Sequence, residues 1–328
     1  MYNAELAHGD TASLSLSLVV PVYNEADVID IFVSRINEVF ADAPHIALEL
    51  VFVNDGSTDN TAEALARLCQ HDSRVRVIEL SRNFGKEAAL TAGLDHVAGQ
   101  VVVPMDVDLQ DPPQLIFNMI DKWREGYDVV LGRRANRDSD TWTKRTFAQW
   151  FYSLHNMISS PKLPVNVGDF RLMDRRVVEA LRLLPESRRF MKGLFAWLGF
   201  RTCHVDYVRP ARVGGTTKFN GWRLWNFALE GFTSFSTAPL RVWTYVGMVI
   251  SAISFLYAMI IALKVILLGV DVPGYASMMV AITFLGGLQL IGIGILGEYL
   301  GRTYLESKRR PTYVVRRILN GEKRPEQQ

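Results

Sequence analysis

The chain has 328 residues, 49% of them apolar, with 36 Lys and Arg against 34 Asp and Glu. A formal net charge of +2 gives no global case for nucleic acid, and the length accommodates one large domain plus something extra. The charge is uneven, because residues 302–328 carry eight basic side chains against three acidic, as expected of a basic tail near an anionic surface.

In chain order, residues 1–12 read as a tail without the basic region and apolar core of a signal peptide. Leu14 to Val20 reads as a strand ended by Pro21, and Asn24-Glu25 opens a helical pattern with Val28, Ile29, Phe32, Val33, Ile36 and Val39 on one face. Leu48 to Val53 predicts a second strand, and the polar loop Asn54-Asp55-Gly56-Ser57-Thr58-Asp59 caps a helix from about Asn60 to Cys69. Val75 to Leu80 predicts a third strand, and Ser81-Arg82-Asn83-Phe84-Gly85-Lys86 leads into a helix from Glu87 to His96. Cys69 and Cys203 stand far apart in no metal-like spacing, as buried thiols of a reducing compartment would.

Val101 to Met105 predicts a fourth strand, with Asp106 and Asp108 just past its carboxyl end, where open α/β sheets place their ligands. Asp-x-Asp supplies hard oxygens for Mg²⁺ or Mn²⁺ held together with substrate phosphates. Taken alone, the pair is a weak signal and reads rather as a surface turn that stops the strand. Pro112-Pro113 starts the next helix, and Tyr127 to Gly132 predicts a fifth strand. Strands alternating with helices over short connections imply an α/β fold with a mostly parallel sheet covered on both faces.

Residues 133–221 are mixed, basic and aromatic, and residues 221–240 follow as an amphipathic helix suited to a membrane interface. Two apolar stretches, about 242–270 and 275–300, each exceed the roughly 20 residues that span a bilayer. The turn between them lacks basic residues, whereas Arg241 precedes the pair and Arg302, Lys308, Arg309 and Arg310 follow it, which puts both ends in the cytoplasm. Lys264 and Glu298 sit where each can snorkel to an interface. Gly292-Ile293-Gly294-Ile295-Leu296-Gly297 matches a dinucleotide-binding pattern by letter but lies inside an apolar span, where small residues serve helix packing.

Three loops, Val20-Pro21-Val22-Tyr23-Asn24-Glu25, Val53 to Asp59 and Asp106-x-Asp108, resemble the nucleotide-sugar site of inverting GT-A glycosyltransferases of family 2. Ser81 to Ala89, Asp108-Leu109-Gln110-Asp111-Pro112-Pro113 and Arg212-x-x-Gly-x-Thr-Lys218 narrow the resemblance to the polyprenyl-phosphate glycosyltransferases. It implies a GT-A catalytic domain over residues 13–220, a two-helix hairpin over 241–301 and a basic cytoplasmic tail over 302–328, in a bacterial inner membrane. The implied reaction passes one sugar, UDP-glucose being the first expectation, to undecaprenyl phosphate. GDP-mannose or a UDP-aminoarabinose derivative is the alternative donor, and a catalytically silent membrane scaffold is the reading from another class.

By position, the resemblance implies that Pro21, Tyr23, Glu25 and Asp55 surround the nucleoside, and that Asp106, Asp108 and Gln110 hold Mg²⁺ or Mn²⁺ and the diphosphate. Arg134 and Arg145 would face phosphates, Arg212 and Lys218 would close over them, and Asp169 would orient acceptor or sugar. Read locally, Pro21 and Gly56 are also turn residues, and Asp55 and Asp59 also helix caps. Lys86 at a helix start opposes the dipole, which a bound anion there would explain. Small residues in the second span imply a homo-oligomer, such as a tetramer, or a flippase-like partner. Arg316 and Arg317 would pair with a neighbouring subunit or fray with the tail.

Overall fold

Short β-branched runs form the strands of the protein, in a computed structural model that describes residues 13–135, 167–186, 189, 191–208, 238–268 and 274–320. The first part alternates β1 (Leu14–Val22), α1 (Ala26–Phe40), β2 (Ile46–Asn54), α2 (Thr61–His71), β3 (Val75–Leu80), α3 (Lys86–His96) and β4 (Val101–Pro104). α4 (Leu115–Arg124) and β5 (Val129–Arg134) follow, then β6 (Val167–Asp174), α5 (Arg175–Arg182), α6 (Met191–Trp197) and β7 (Thr202–Tyr207). The chain continues through α7 (Ala238–Leu268) and α8 (Tyr275–Ser307) to a last strand, β8 (Val315–Leu319).

Among the described residues the eight strands join one sheet in the order β7-β5-β6-β4-β1-β2-β3-β8. β1 runs parallel to β2 and β4, β2 to β3, and β5 to β7, while β6 is antiparallel to β4 and β5, and β8 to β3. The period of two sends Leu16, Leu18 and Val20 of β1 into one core with Phe32 and Ile36, and Val19 into the other with Ala89 and Ala92. Gly93 lets α3 lie close against this strand, since a Cβ there would stand 2.3 Å from a methyl of Val19. The result is the α/β sheet, covered on both faces, that the strand–helix alternation implied.

Several boundaries differ from those read in the sequence. Pro21 lies inside β1, opposite Val53, instead of ending the strand. Its missing N–H is harmless because it points to the side of β4, whose pairing with β1 stops at Val19. β5 ends two residues later than expected, so Arg134 is its last residue, and α4 begins at Leu115, after the Pro112-Pro113 turn. β6 and β7 arise from the stretch that read as mixed. β8 overturns the expectation of a free basic tail, because residues 315–319 are bonded into the sheet edge beside β3.

α7 and α8 contain windows of mean hydropathy 2.0, Val242–Ile261 and Val280–Ser307, that are 0% and 6% buried. An apolar hairpin this exposed is not the core of a water-soluble domain. α8 runs on to Ser307, and Glu298 pairs with Arg302 one turn later at 2.9 Å. Gly292, the first glycine of the dinucleotide-like string, faces α7, where an added Cβ would fall 1.9 Å from Trp243 Nε1. That glycine serves helix packing, as the apolar context implied. The amphipathic stretch preceding α7 lies outside the described residues, apart from its last few.

Candidate active site

The strand order reverses at β1, which has β2 on one side and β4 on the other. Such a switch point leaves a crevice beyond the carboxyl ends of the strands. Pro21, Lys86, Asp106, Asp111, Asp169 and Phe170 line a small cleft there. Asp169 reaches it because β6 is antiparallel to β4, with Val101 opposite Asp174, so the start of β6 lies at the end of β4.

The loops after β1, β2 and β3 brace one another. Asn24, in the left-handed conformation at φ 55°, accepts 2.8 Å from the Thr58 amide through its side chain. Its own amide donates to Ser57 Oγ at 3.0 Å, and the Glu25 amide to Thr61 Oγ1 at 3.0 Å. Asp59 closes the same network by accepting from the amide and hydroxyl of Thr61. Asp55 is 4% exposed and accepts from the Phe84 amide at 2.7 Å and the Gly85 amide at 2.9 Å. Burial pushes its carboxyl above the ordinary range, partly offset by these amides and by Arg82. Asp55 therefore clamps the loop that delivers Lys86, while Tyr23, 39% exposed, presents an open aromatic face.

The turn after β4 holds the two carboxylates read from the sequence. Asp108 Oδ1 accepts the Gln110 amide at 3.1 Å, bending the chain tightly enough to put Leu109 at φ 56°. A leucine in the left-handed region is strained, and such strain gathers at functional sites. Gln110 Oε1 is buried without a hydrogen-bond partner in the structure. Among the described residues, no group of three or more His, Cys, Asp or Glu is placed to hold a metal. Two carboxylates and an orphaned amide oxygen nonetheless fit Mg²⁺ or Mn²⁺, which complete their shell with water and substrate phosphates.

Lys86, the first residue of α3, stretches to Asp106 Oδ1 at 2.7 Å and to Asp169 Oδ2 at 3.1 Å. Burial works to lower its pKa, but the two carboxylates outweigh that and hold the ammonium well above its usual range. The anions beside Lys86 in this structure are the carboxylates of Asp106 and Asp169. Asp106 and Asp169 are brought together through this lysine.

Two residues around the cleft, Arg171 and Tyr207, went unassigned in the sequence. Arg171 is 2% exposed, lies 3.9 Å over the Phe195 ring and donates to the carbonyls of Gly168 at 2.8 Å and Asp169 at 3.3 Å. Burial lowers its pKa to about 10, against the pull of Asp169 and Glu87. Tyr207, at the end of β7, donates to the buried carboxylate of Asp111 and accepts from Arg134. Burial and Asp111 push its phenol up to about 12. The alternation of β6 and the Phe-Arg pair in Gly168-Asp169-Phe170-Arg171 were the available signal for Arg171; nothing local marks Tyr207. Arg145, Arg212 and Lys218 lie outside the described residues.

Comparison with known proteins yields two family matches. Glycosyl transferase family 2 matches residues 17–182, and the GtrB C-terminal hairpin matches residues 238–303. A prophage bactoprenol glucosyl transferase homolog of Escherichia coli (strain K12) is 52% identical over 93% of this chain and 99% of that protein. The bactoprenol glucosyl transferase of Shigella phage SfX is 54% identical over 92% of this chain and 99% of that protein. An uncharacterised glycosyltransferase of Synechocystis sp. is 53% identical over 92% of this chain and 95% of that protein.

Proposed function

The chain belongs to glycosyl transferase family 2 and is a membrane-associated glycosyltransferase, and from that premise we propose that it transfers one glucose from UDP-glucose to undecaprenyl phosphate. The observation that carries this reading is whole-length likeness: at 52–54% identity, the relatives named bactoprenol glucosyl transferase match over more than nine-tenths of both chains.

In this reading an oxygen of the lipid phosphate attacks the anomeric carbon opposite the leaving UDP. The new bond forms to that oxygen as the bond to the β-phosphate oxygen breaks, inverting the centre. A lipid phosphate is already anionic at neutral pH, so no strong base is needed. Asp169, held by Lys86 and by the carbonyl clamp of Arg171, orients the sugar or the acceptor. Pro21, Tyr23 and Glu25 surround the nucleoside, with Asp55 holding the loop beneath it. Asp106, Asp108 and the Gln110 amide oxygen would hold Mg²⁺ or Mn²⁺, which when bound stabilises charge growing on the diphosphate. Arg134, Arg145, Arg212 and Lys218 add positive charge around the phosphates. The hairpin spans the inner membrane, because a lipid of this kind does not leave the bilayer, and the basic residues at both of its ends put the catalytic domain on the cytoplasmic side.

The test is transfer of radiolabel from a panel of UDP- and GDP-sugars to undecaprenyl phosphate in detergent, with and without Mg²⁺ or Mn²⁺. Metal-dependent label entering the lipid phase from UDP-glucose is the expected result. Label from a different donor overturns the choice of sugar, and undiminished transfer by Asp108→Ala overturns the site.

A further inference from the structure

Both oxygens of Asp106 are engaged by one ammonium, with Lys86 Nζ at 2.7 Å from Oδ1 and 2.9 Å from Oδ2. The same Nζ lies 3.1 Å from Asp169 Oδ2, so one lysine bridges the two carboxylates at the cleft and offsets one of their two negative charges. Lys86 opens α3 after Gly85, whose φ of 99° suits glycine, and a cation at a helix start opposes the dipole. Its place there is explained by the carboxylates, not by the helix. The side chain is still 48% exposed, and its stem of single bonds lets the ammonium swing without moving the backbone.

We propose that Lys86 is the internal counter-cation of the donor site, occupying Asp106 and Asp169 in the donor-free protein and passing to the donor's diphosphate as a divalent ion takes Asp106. The inference rests on the reading that Asp106 holds the metal with the diphosphate. Two cations compete for one carboxylate until an incoming anion removes one of them. Donor and metal binding are therefore coupled through Lys86, each favouring the other by the same factor. A lysine that merely repelled the metal from a fixed position would weaken metal binding equally with and without donor, and would add nothing to the coupling.

The experiment measures Mn²⁺ binding to the full-length protein in detergent by electron paramagnetic resonance, with and without UDP, so that no turnover is involved. Lys86→Met is expected to bind Mn²⁺ about tenfold more tightly than wild type without UDP, and to lose a similar factor from the tightening that UDP produces. Lys86→Arg is expected to keep the wild-type coupling, and Lys86→Gln serves if Lys86→Met folds poorly by thermal melting. Equal changes with and without UDP, or no change without UDP, overturn the proposal while leaving the metal site standing. No Mn²⁺ binding by wild type even with UDP overturns both the metal site and the proposal.

Discussion

Arg317 donates two hydrogen bonds of 2.7 Å to the carboxylate of Glu79, so β8 is tied to β3 by a two-point ion pair. The residues are opposite one another in the β3–β8 register, and Glu79 is 4% exposed. Val314 also accepts from the Ser81 amide at 2.9 Å, and the Tyr313 hydroxyl donates to Asp95 at 2.8 Å. The segment that leaves the apolar hairpin thus seats itself on both ends of the loop and helix that carry Lys86.

Arg317→Met leaves a buried carboxylate without its bidentate partner and is expected to destabilise the folded protein by about 1–3 kcal/mol. Hydrogen exchange checks it locally, since amides of β3 and β8 should lose protection before those of β1. The double variant Glu79→Gln with Arg317→Met should recover part of the loss, because no buried charge is then left alone.

Gly56 sits at φ 65°, and an added Cβ would lie 2.4 Å from the Arg82 carbonyl carbon. The neighbour is backbone and cannot rotate away. Gly56→Ala is therefore expected to cost about 3 kcal/mol, the upper part of the range for overpacking. Thermal unfolding in detergent measures the loss, and weakened UDP binding should accompany it because the Asp55 clamp on Phe84 and Gly85 is pushed off its partners.

The acid limb of stability should divide between two carboxylates of one loop. Burial works to raise the Asp59 pKa, but bonds from Thr61 and the Ala26 amide hold it below its usual value. The folded chain then binds fewer protons than the unfolded one, so this contribution is present above about pH 4 and is lost as pH falls through the lowered value. Asp55 is shifted the other way, and its contribution rises on acidification through its raised value. Asp59→Asn should flatten the acid loss of stability, as read from denaturation midpoints across pH.

Arg171→Met removes a charge-assisted clamp on two carbonyls in the buried sheet, at a cost of about 1.5–3 kcal/mol. Because the clamp holds the start of β6, which bears Asp169, turnover should fall more than donor binding does. Sugar transfer measured against UDP affinity separates the two effects. Arg171→Lys should restore the charge but not the two-carbonyl geometry.

Strand periodicity, turn chemistry and span length are local properties, and what they reveal was legible in the chain alone. The first five strands, the loops at their carboxyl ends and the two apolar spans fall close to where composition and spacing put them. Asp106 and Asp108 stand at the end of β4 for the same reason. Only the tertiary structure decided the rest. β6 enters antiparallel between β4 and β5, and this non-local pairing sets Asp169 across from Lys86 and Asp106. Residues 315–319 read as tail because two of their five side chains are arginine, which an edge strand tolerates when a buried glutamate waits on its neighbour. Tyr207 and Asp111 lie 96 positions apart, and no local pattern announces a hydrogen bond between them. Partners brought together by sheet order leave no local periodicity in the sequence, because their energy is realised only when the sheet has closed.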